Sequence, residues 1–159
     1  GTHCLAYSFI EKDKIRIDKK KLKKLKLPSG PLIGKLKDVK DIVINGKKIK
    51  SKDFIYREKG KKISIVLDTR VNDNIVKISK DSDLMICEAT YFDETETAKE
   101  YKHLTLTQSV DLANKSKVKK LILMHLSQKY ENSEKEFLKM AKKYFKNSFI
   151  AEDGMRVEV

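Results

Sequence analysis

The chain has 159 residues, 40% hydrophobic and 37% charged, with a formal net charge of +13. That length suits one domain with a sizeable core, while no apolar run approaches the ~20 residues of a membrane span and no signal-peptide pattern is present. The two cysteines, Cys4 and Cys87, have no metal-type spacing, so the chain reads as cytoplasmic, with no membrane partner.

Residues 4–10 (CLAYSFI) read as a strand. It opens abruptly for an α/β domain, which suggests a fragment of a larger one. Residues 11–62 then hold 20 Lys+Arg against 7 Asp+Glu, a net +13, whereas the rest of the chain holds 16 of each and nets zero. Lysines that merely decorated exposed faces would be spread along the whole chain. Concentrated in one segment, they read as a device for binding a polyanion, most commonly nucleic acid. Apolar residues here are too few to join the core, so the segment is expected to project as an arm. Asp18 can cap a helix over 19–26, with Leu22 and Leu25 as its apolar face. Pro28, Ser29, Gly30 and Pro31 make a rigid turn. Ile42-Val43-Ile44, Asn45-Gly46 and Lys47-Lys48-Ile49 form a hairpin signal.

The stretch 61–70 (KKISIVLDTR) reads as a buried strand that stops at Asp68. Asn72 and Asp73 can cap a helix through Ile78, and a strand over 83–89 ends near Glu88. A polar helix over 93–102 is interrupted by His103-Leu104-Thr105, and a second helix over 107–115 lines Leu106, Val110 and Ala113 along one face. The strand over 121–126 ends at His125. Ser133 and Glu136 make a capping box for a helix whose apolar stripe is Phe137, Leu138, Ala141, Tyr144 and Phe145, read as core. Phe149-Ile150-Ala151, a turn at Asp153-Gly154 and residues 155–159 are expected to close the chain as a hairpin.

Asp68, Glu88 and His125 thus end three apolar runs. In open α/β sheets, ligands and catalytic groups gather at the carboxyl ends of the strands. Any one of the three is simply read as a strand cap; together they point to a site. Asp and neutral His ligate zinc, but one of each leaves a tetrahedral site incomplete. His103 is either an exposed loop histidine or a general acid and phosphate donor, and its spacing does not decide. Cys87, inside an apolar strand, reads as a small buried hydrophobe.

At the level of motifs, the chain resembles the carboxyl-terminal half of ribonuclease Z, the tRNA 3′-processing endonuclease of the metallo-β-lactamase superfamily. LAYSF is similar to the strand after that family's third histidine motif, and LPSGPLIGKLK with the later ING resembles its exosite arm. LDTR resembles GDTR, CEATY resembles HEATY, HLTLTQS resembles HSTxxQA, LILMHLSQKY resembles LLLTHFSxRY, and AEDGM resembles the closing D-G or D-L segment, all in the family's order. The fold implied is α/β, the carboxyl-terminal half of an αββα sandwich formed by residues 1–10 and 63–159, with residues 11–62 as a protruding basic arm for tRNA. By the same resemblance, Asp68 bridges two zinc ions and His125 ligates one of them. His103 donates a proton or stabilises phosphate, and Glu88 acts behind it, orienting it. Lys35 and Lys37 touch tRNA from the arm, beside Gly30 and Pro31.

The family's HxHxDH motif is absent, and its next ligand, a histidine directly before a glycine, would fall one position before Gly1; His3 is out of register with it. Leu67 stands where glycine is usual and Leu104 where serine is usual. The resemblance implies hydrolysis of precursor tRNA after the discriminator nucleotide, by a two-zinc cytoplasmic enzyme that is a homodimer when complete. The stretch alone is expected to be inactive. The alternatives are a non-catalytic nucleic-acid-binding module of the same ancestry and a phosphodiesterase for small molecules, the latter disfavoured by the basic arm.

Overall fold

In a computed structural model of the protein, residues 3–24 and 30–159 are described. The chain divides into two compact units, one formed by residues 1–10 and 61–159 and the other by residues 11–60. Strand β1 (Tyr7–Ile10) belongs to the first. The second holds β2 (Lys14–Ile17), α1 (Lys19–Lys24), α2 (Pro31–Lys37), β3 (Ile42–Ile44), β4 (Lys47–Ile49) and β5 (Ile55–Glu58). The first unit resumes with β6 (Lys62–Val66), α3 (Asp73–Ser79), β7 (Leu84–Glu88), α4 (Thr95–Tyr101), α5 (Leu106–Lys115), β8 (Leu121–Met124), α6 (Glu134–Tyr144) and β9 (Ser148–Ile150).

The larger unit is built on one sheet in the order β1-β6-β7-β8-β9. β1 runs antiparallel to β6; every other pairing is parallel. Parallel strands need crossovers, and the sequence supplies them as helices. Asn72 caps α3 by accepting the amide of Asn74. Thr105 and Gln108 form a full capping box on α5. Val66, Met85, Cys87, Leu121 and Leu123 meet Val110, Ala113, Phe137 and Ala141 in a core sealed from water. Cys87 is inert there, since burial pushes its thiol up to about 12.

Three expectations for this unit need correction. Ser133 precedes α6 but makes no side-chain cap. Its backbone does not adopt the extended geometry that aims a hydroxyl at the third amide, and its carbonyl takes the amides of Glu136 and Phe137 instead. Tyr144 lies 55% exposed and is not core, whereas Met140 packs against the core. No closing hairpin forms among the described residues: Gly154 turns with φ 79°, but residues 155–159 form no strand, and β9 pairs in parallel with β8. A short alternating run does not show which sheet edge will receive it.

The smaller unit contains two antiparallel pairs, β2 with β5 and β3 with β4. Asn45 and Gly46, both at positive φ, make the two-residue turn of the second pair. Asp18 caps α1 by accepting the amides of Lys20 and Lys21. The predicted remainder of that helix and most of the following turn, residues 25–29, lie outside the described residues. Sequence reading missed β2, β5 and α2, the last of which begins at Pro31, where a missing amide proton costs nothing. The unit is poor in apolar residues but has a small core of its own, Leu36 and Ile42. Gly60 sits where a Cβ would fall 1.9 Å from the Glu11 carbonyl oxygen, so only glycine fits.

The loops after β7 and β8 are joined by a polar cluster. The Glu94 carboxylate accepts from Lys129 Nζ, the Tyr130 hydroxyl and the amides of Phe92 and Asp93. Desolvation pushes this carboxyl up, but the bonds from Lys129 and Tyr130 and the nearby amides outweigh it and hold it at about 2, against an ordinary 4.5. A carboxyl lowered in this way adds stability that is full above about 4.5 and is lost as pH falls through about 2. Urea unfolding of Glu94→Gln beside the parent should therefore show a stability gap at neutral pH that closes over that window. A gap unchanged across it would contradict the assignment. Phe137→Ala should cost about 4 kcal/mol and Tyr144→Ala under about 0.5 kcal/mol, both read from the same denaturation curves.

Candidate metal and phosphate centre

Because β6, β7 and β8 run parallel as sheet neighbours, their carboxyl ends share one rim. Asp68 lies two residues beyond β6, Glu88 ends β7, and His125 follows β8 directly. Asp68 and His125 occupy the left-handed region, φ 50° and 59°, and Lys102, just before His103, has φ 63°. Most side chains disfavour that region, though Asp and His enter it more readily than most, and Lys102 does so as the C-cap of α4. The abrupt turn swings each side chain off its strand and over the rim.

Glu88 is wholly buried. Its Oε2 accepts from Thr90 Oγ1 at 2.7 Å, His103 Nδ1 at 2.9 Å and the Leu104 amide at 3.1 Å. Its Oε1 takes the Thr69 amide. A buried carboxylate is tolerable only when its lone pairs are filled in this way. The partners also show why leucine serves at position 104: the backbone amide makes the bond, while the side chain is fully buried.

These bonds fix the histidine tautomers. Thr90 spends its only proton on Glu88, so its oxygen, 2.8 Å from His125 Nδ1, accepts from that nitrogen. Glu88 likewise requires the proton on His103 Nδ1. Both rings are left with Nε2 as the free lone pair. His125 Nε2 lies 3.3 Å from Asp68 Oδ1, and the two imidazole centroids are 5.2 Å apart. Ligand atoms of Asp68, His103 and His125 all fall within 4.8 Å of one another. An imidazole lone pair and a carboxylate oxygen 3.3 Å apart are reconciled by a shared cation, either a proton on Nε2 or a metal. That separation is what oxygen and nitrogen ligands span at a near-tetrahedral angle about zinc, given bonds of about 2.0–2.1 Å. The donor set therefore fits a divalent metal. An open cleft of about 740 Å³ lies over the cluster, lined also by Leu67 and Lys102.

The rim thus brings together Asp68, Glu88, His103 and His125. Sequence reading missed Thr90, the link between Glu88 and His125, although its position two residues after a strand-end glutamate signals a shared face. It gave His103 a proton-donor role while leaving it open as a further metal ligand, and the structure groups it with Asp68 and His125. In the smaller unit, Gly30 and Pro31 open α2, and Lys35 and Lys37 stand exposed in its last turn.

The sheet, parallel but for β1, with helices packed on it and a His/Asp cluster at its carboxyl rim, matches about half of a metallo-β-lactamase fold. The metallo-beta-lactamase fold protein YhfI from Bacillus subtilis is similar at TM-score 0.54 and 18% identity, over 75% of this chain and 48% of that one. No family model matches. In sequence the chain is similar to ribonuclease Z, and specifically to a half of it. It is 39% identical to that of Clostridium novyi (strain NT) over 155 residues, 96% of this chain and 49% of the relative. It is 37% identical to that of Nanoarchaeum equitans (strain Kin4-M) over 130 residues, 81% of this chain and 41% of the relative. The chain spans about half the length of the curated relatives it matches.

Glu88→Gln keeps the shape of the side chain but turns one acceptor into a donor facing other donors. It should cost about 2 kcal/mol in urea denaturation. An unchanged midpoint would show that Glu88 does not organise the rim.

Proposed function

We propose that the chain forms part of the active centre of a zinc-dependent ribonuclease Z, which removes the 3′ trailer of precursor tRNA by phosphodiester hydrolysis. The observation that carries this reading is the convergence of Asp68, His103 and His125 on one point at the sheet rim. Asp68 and His125 would hold the metal, with His125 Nε2 kept free by the Thr90–Glu88 relay. Zinc supplies Lewis acidity that activates water and polarises the phosphoryl group. His103, held through Nδ1 by Glu88, would turn Nε2 toward the phosphate or the departing oxygen, and as the imidazolium, with a proton on both ring nitrogens, it would be the proton donor there. Glu88 touches no substrate; it orients His103.

The basic unit, residues 11–60, would bind tRNA mainly through phosphates, with Lys35 and Lys37 on its exposed α2 turn. The complete enzyme would be cytoplasmic and homodimeric. One observation favours a second reading, a non-catalytic nucleic-acid-binding module: the cluster among the described residues offers three ligands, too few for two zinc ions.

Two measurements test the proposal. Metal analysis of the purified chain should find fewer than two tightly held zinc ions, and Asp68→Ala or His125→Ala should abolish what binding there is. Zinc binding unaffected by both changes would end the metal reading. The affinity of the chain for tRNA should fall steeply with salt, and Lys35→Glu with Lys37→Glu should flatten the log–log slope by roughly 0.7–0.9 for each phosphate no longer neutralised. In the complete enzyme, deletion of residues 11–60 should weaken cleavage of precursor tRNA while sparing a small phosphodiester. Equal use of precursor tRNA without them would reduce the lysines to surface decoration.

A further inference from the structure

The segment 90–94, between Glu88 and α4, is bonded along both sides. On one side, the Tyr91 amide donates to the Leu104 carbonyl at 3.2 Å and the Leu106 amide donates to the Tyr91 carbonyl at 2.8 Å, a parallel bridge to Thr105, two residues beyond His103. Tyr91 also meets the His103 ring edge-on, centroids 6.4 Å apart. On the other side, the Ser127 amide donates to the Thr90 carbonyl at 3.0 Å, two residues beyond His125. The segment thus lies between the loops that carry the two histidines.

Glu94 closes this arrangement. It grips Lys129 and Tyr130 of the His125 loop while accepting the amides of Phe92 and Asp93 in its own segment. The Tyr130 hydroxyl lies 3.2 Å from the Phe92 amide. Lys129 Nζ reaches back over the Tyr91 ring, 5.2 Å from its centroid. Phe92 and Tyr130 both pack edge-on against Phe137, each at 4.9 Å. The assembly therefore has a rigid floor in the core and a charged clasp at the surface.

We propose that Glu94, with Lys129 and Tyr130, is a positioning residue that sets the relative placement of His103 and His125. Its cluster touches neither Asp68 nor the histidine ligand nitrogens; it acts through Tyr91 on one loop and through residues 127–130 on the other. The proposal rests on the metal-centre reading for its consequence in zinc affinity, but not for its geometry.

The test uses the full chain and imidazole ¹H–¹⁵N spectra, with backbone amide spectra as the check on folding. Glu94→Gln, Lys129→Met and Tyr130→Phe should each leave a folded protein with displaced His103 and His125 signals. Each should weaken zinc binding about tenfold, the low end of the loss seen when groups behind metal ligands are removed. Lys129→Arg, which keeps the charge, should restore both readouts. Asp83→Asn supplies the control. It removes the charge that pairs with Lys119 at 2.7 Å and one of the two oxygens that accept from Lys119 and, at 2.8 Å, from the Lys62 amide at the opposite end of the strands, and should leave the histidine signals in place. Unmoved histidine signals in the Lys129 and Tyr130 variants would overturn the proposal, as would equal movement in the Asp83 control. If Glu94→Gln fails to fold, those two partner variants decide alone. Displaced signals in a chain that binds no zinc would uphold the positioning role and refute the metal centre.

Discussion

One buried carboxylate organises the sheet rim. Glu88 has no exposed surface, and bonds from Thr69, Thr90, His103 and Leu104 converge on it. Those donors come from the loop after β6, from the loop after β7 and from the turn between α4 and α5. A fourth loop, after β8, joins through Thr90 and His125. An unpaired carboxylate in this position would cost several kcal/mol, so the loops are held together by the need to satisfy it. That need also sets which nitrogen of each histidine is left free.

The sheet places the side chains near one another, and backbone strain completes the approach. Asp68 and His125 leave their strands through the left-handed region, a conformation that disfavours any side chain. Bonds beside each turn hold it in place: Ala89 donates to the Met124 carbonyl just before His125, and the exposed Cys4 Sγ lies 2.8 Å from the Leu67 carbonyl just before Asp68. The rigid part of the site is therefore its backbone and its buried glutamate. The ligand atoms themselves face solvent, with Asp68 and His125 side chains 62% and 46% exposed, where a metal and a phosphate can reach them.

The parallel strands were legible because a strand buried on both faces reads as an apolar run, and the residue that breaks the run marks the rim. Asp68, Glu88 and His125 were found in this way. That they meet in one site follows from their shared place at strand ends; the means of their approach was not legible, since it depends on positive φ at ordinary residues and on Thr90, neither of which has a periodic signature. The pair β2 and β5 escaped for a different reason: KIRI and IYRE are short, charged and some 40 residues apart, so each gains its meaning only from the other. The helix α2 was hidden behind Gly30 and Pro31, which also signal a turn. The motif resemblance names Asp68, Glu88, His103 and His125, and the hydrogen bonds give the physical reason why these four lie together at the rim.

The central claim is that Glu88 and Thr90 hold both histidines with the proton on Nδ1 and the lone pair on Nε2. Long-range ¹H–¹⁵N spectra of the imidazoles, recorded without metal at a pH where the rings are neutral, read the tautomers directly. The account predicts the Nδ1–H form for both His103 and His125. Finding the proton on Nε2 of either ring would contradict it, because that nitrogen is then no ligand and the bonds to Glu88 or Thr90 are not those described.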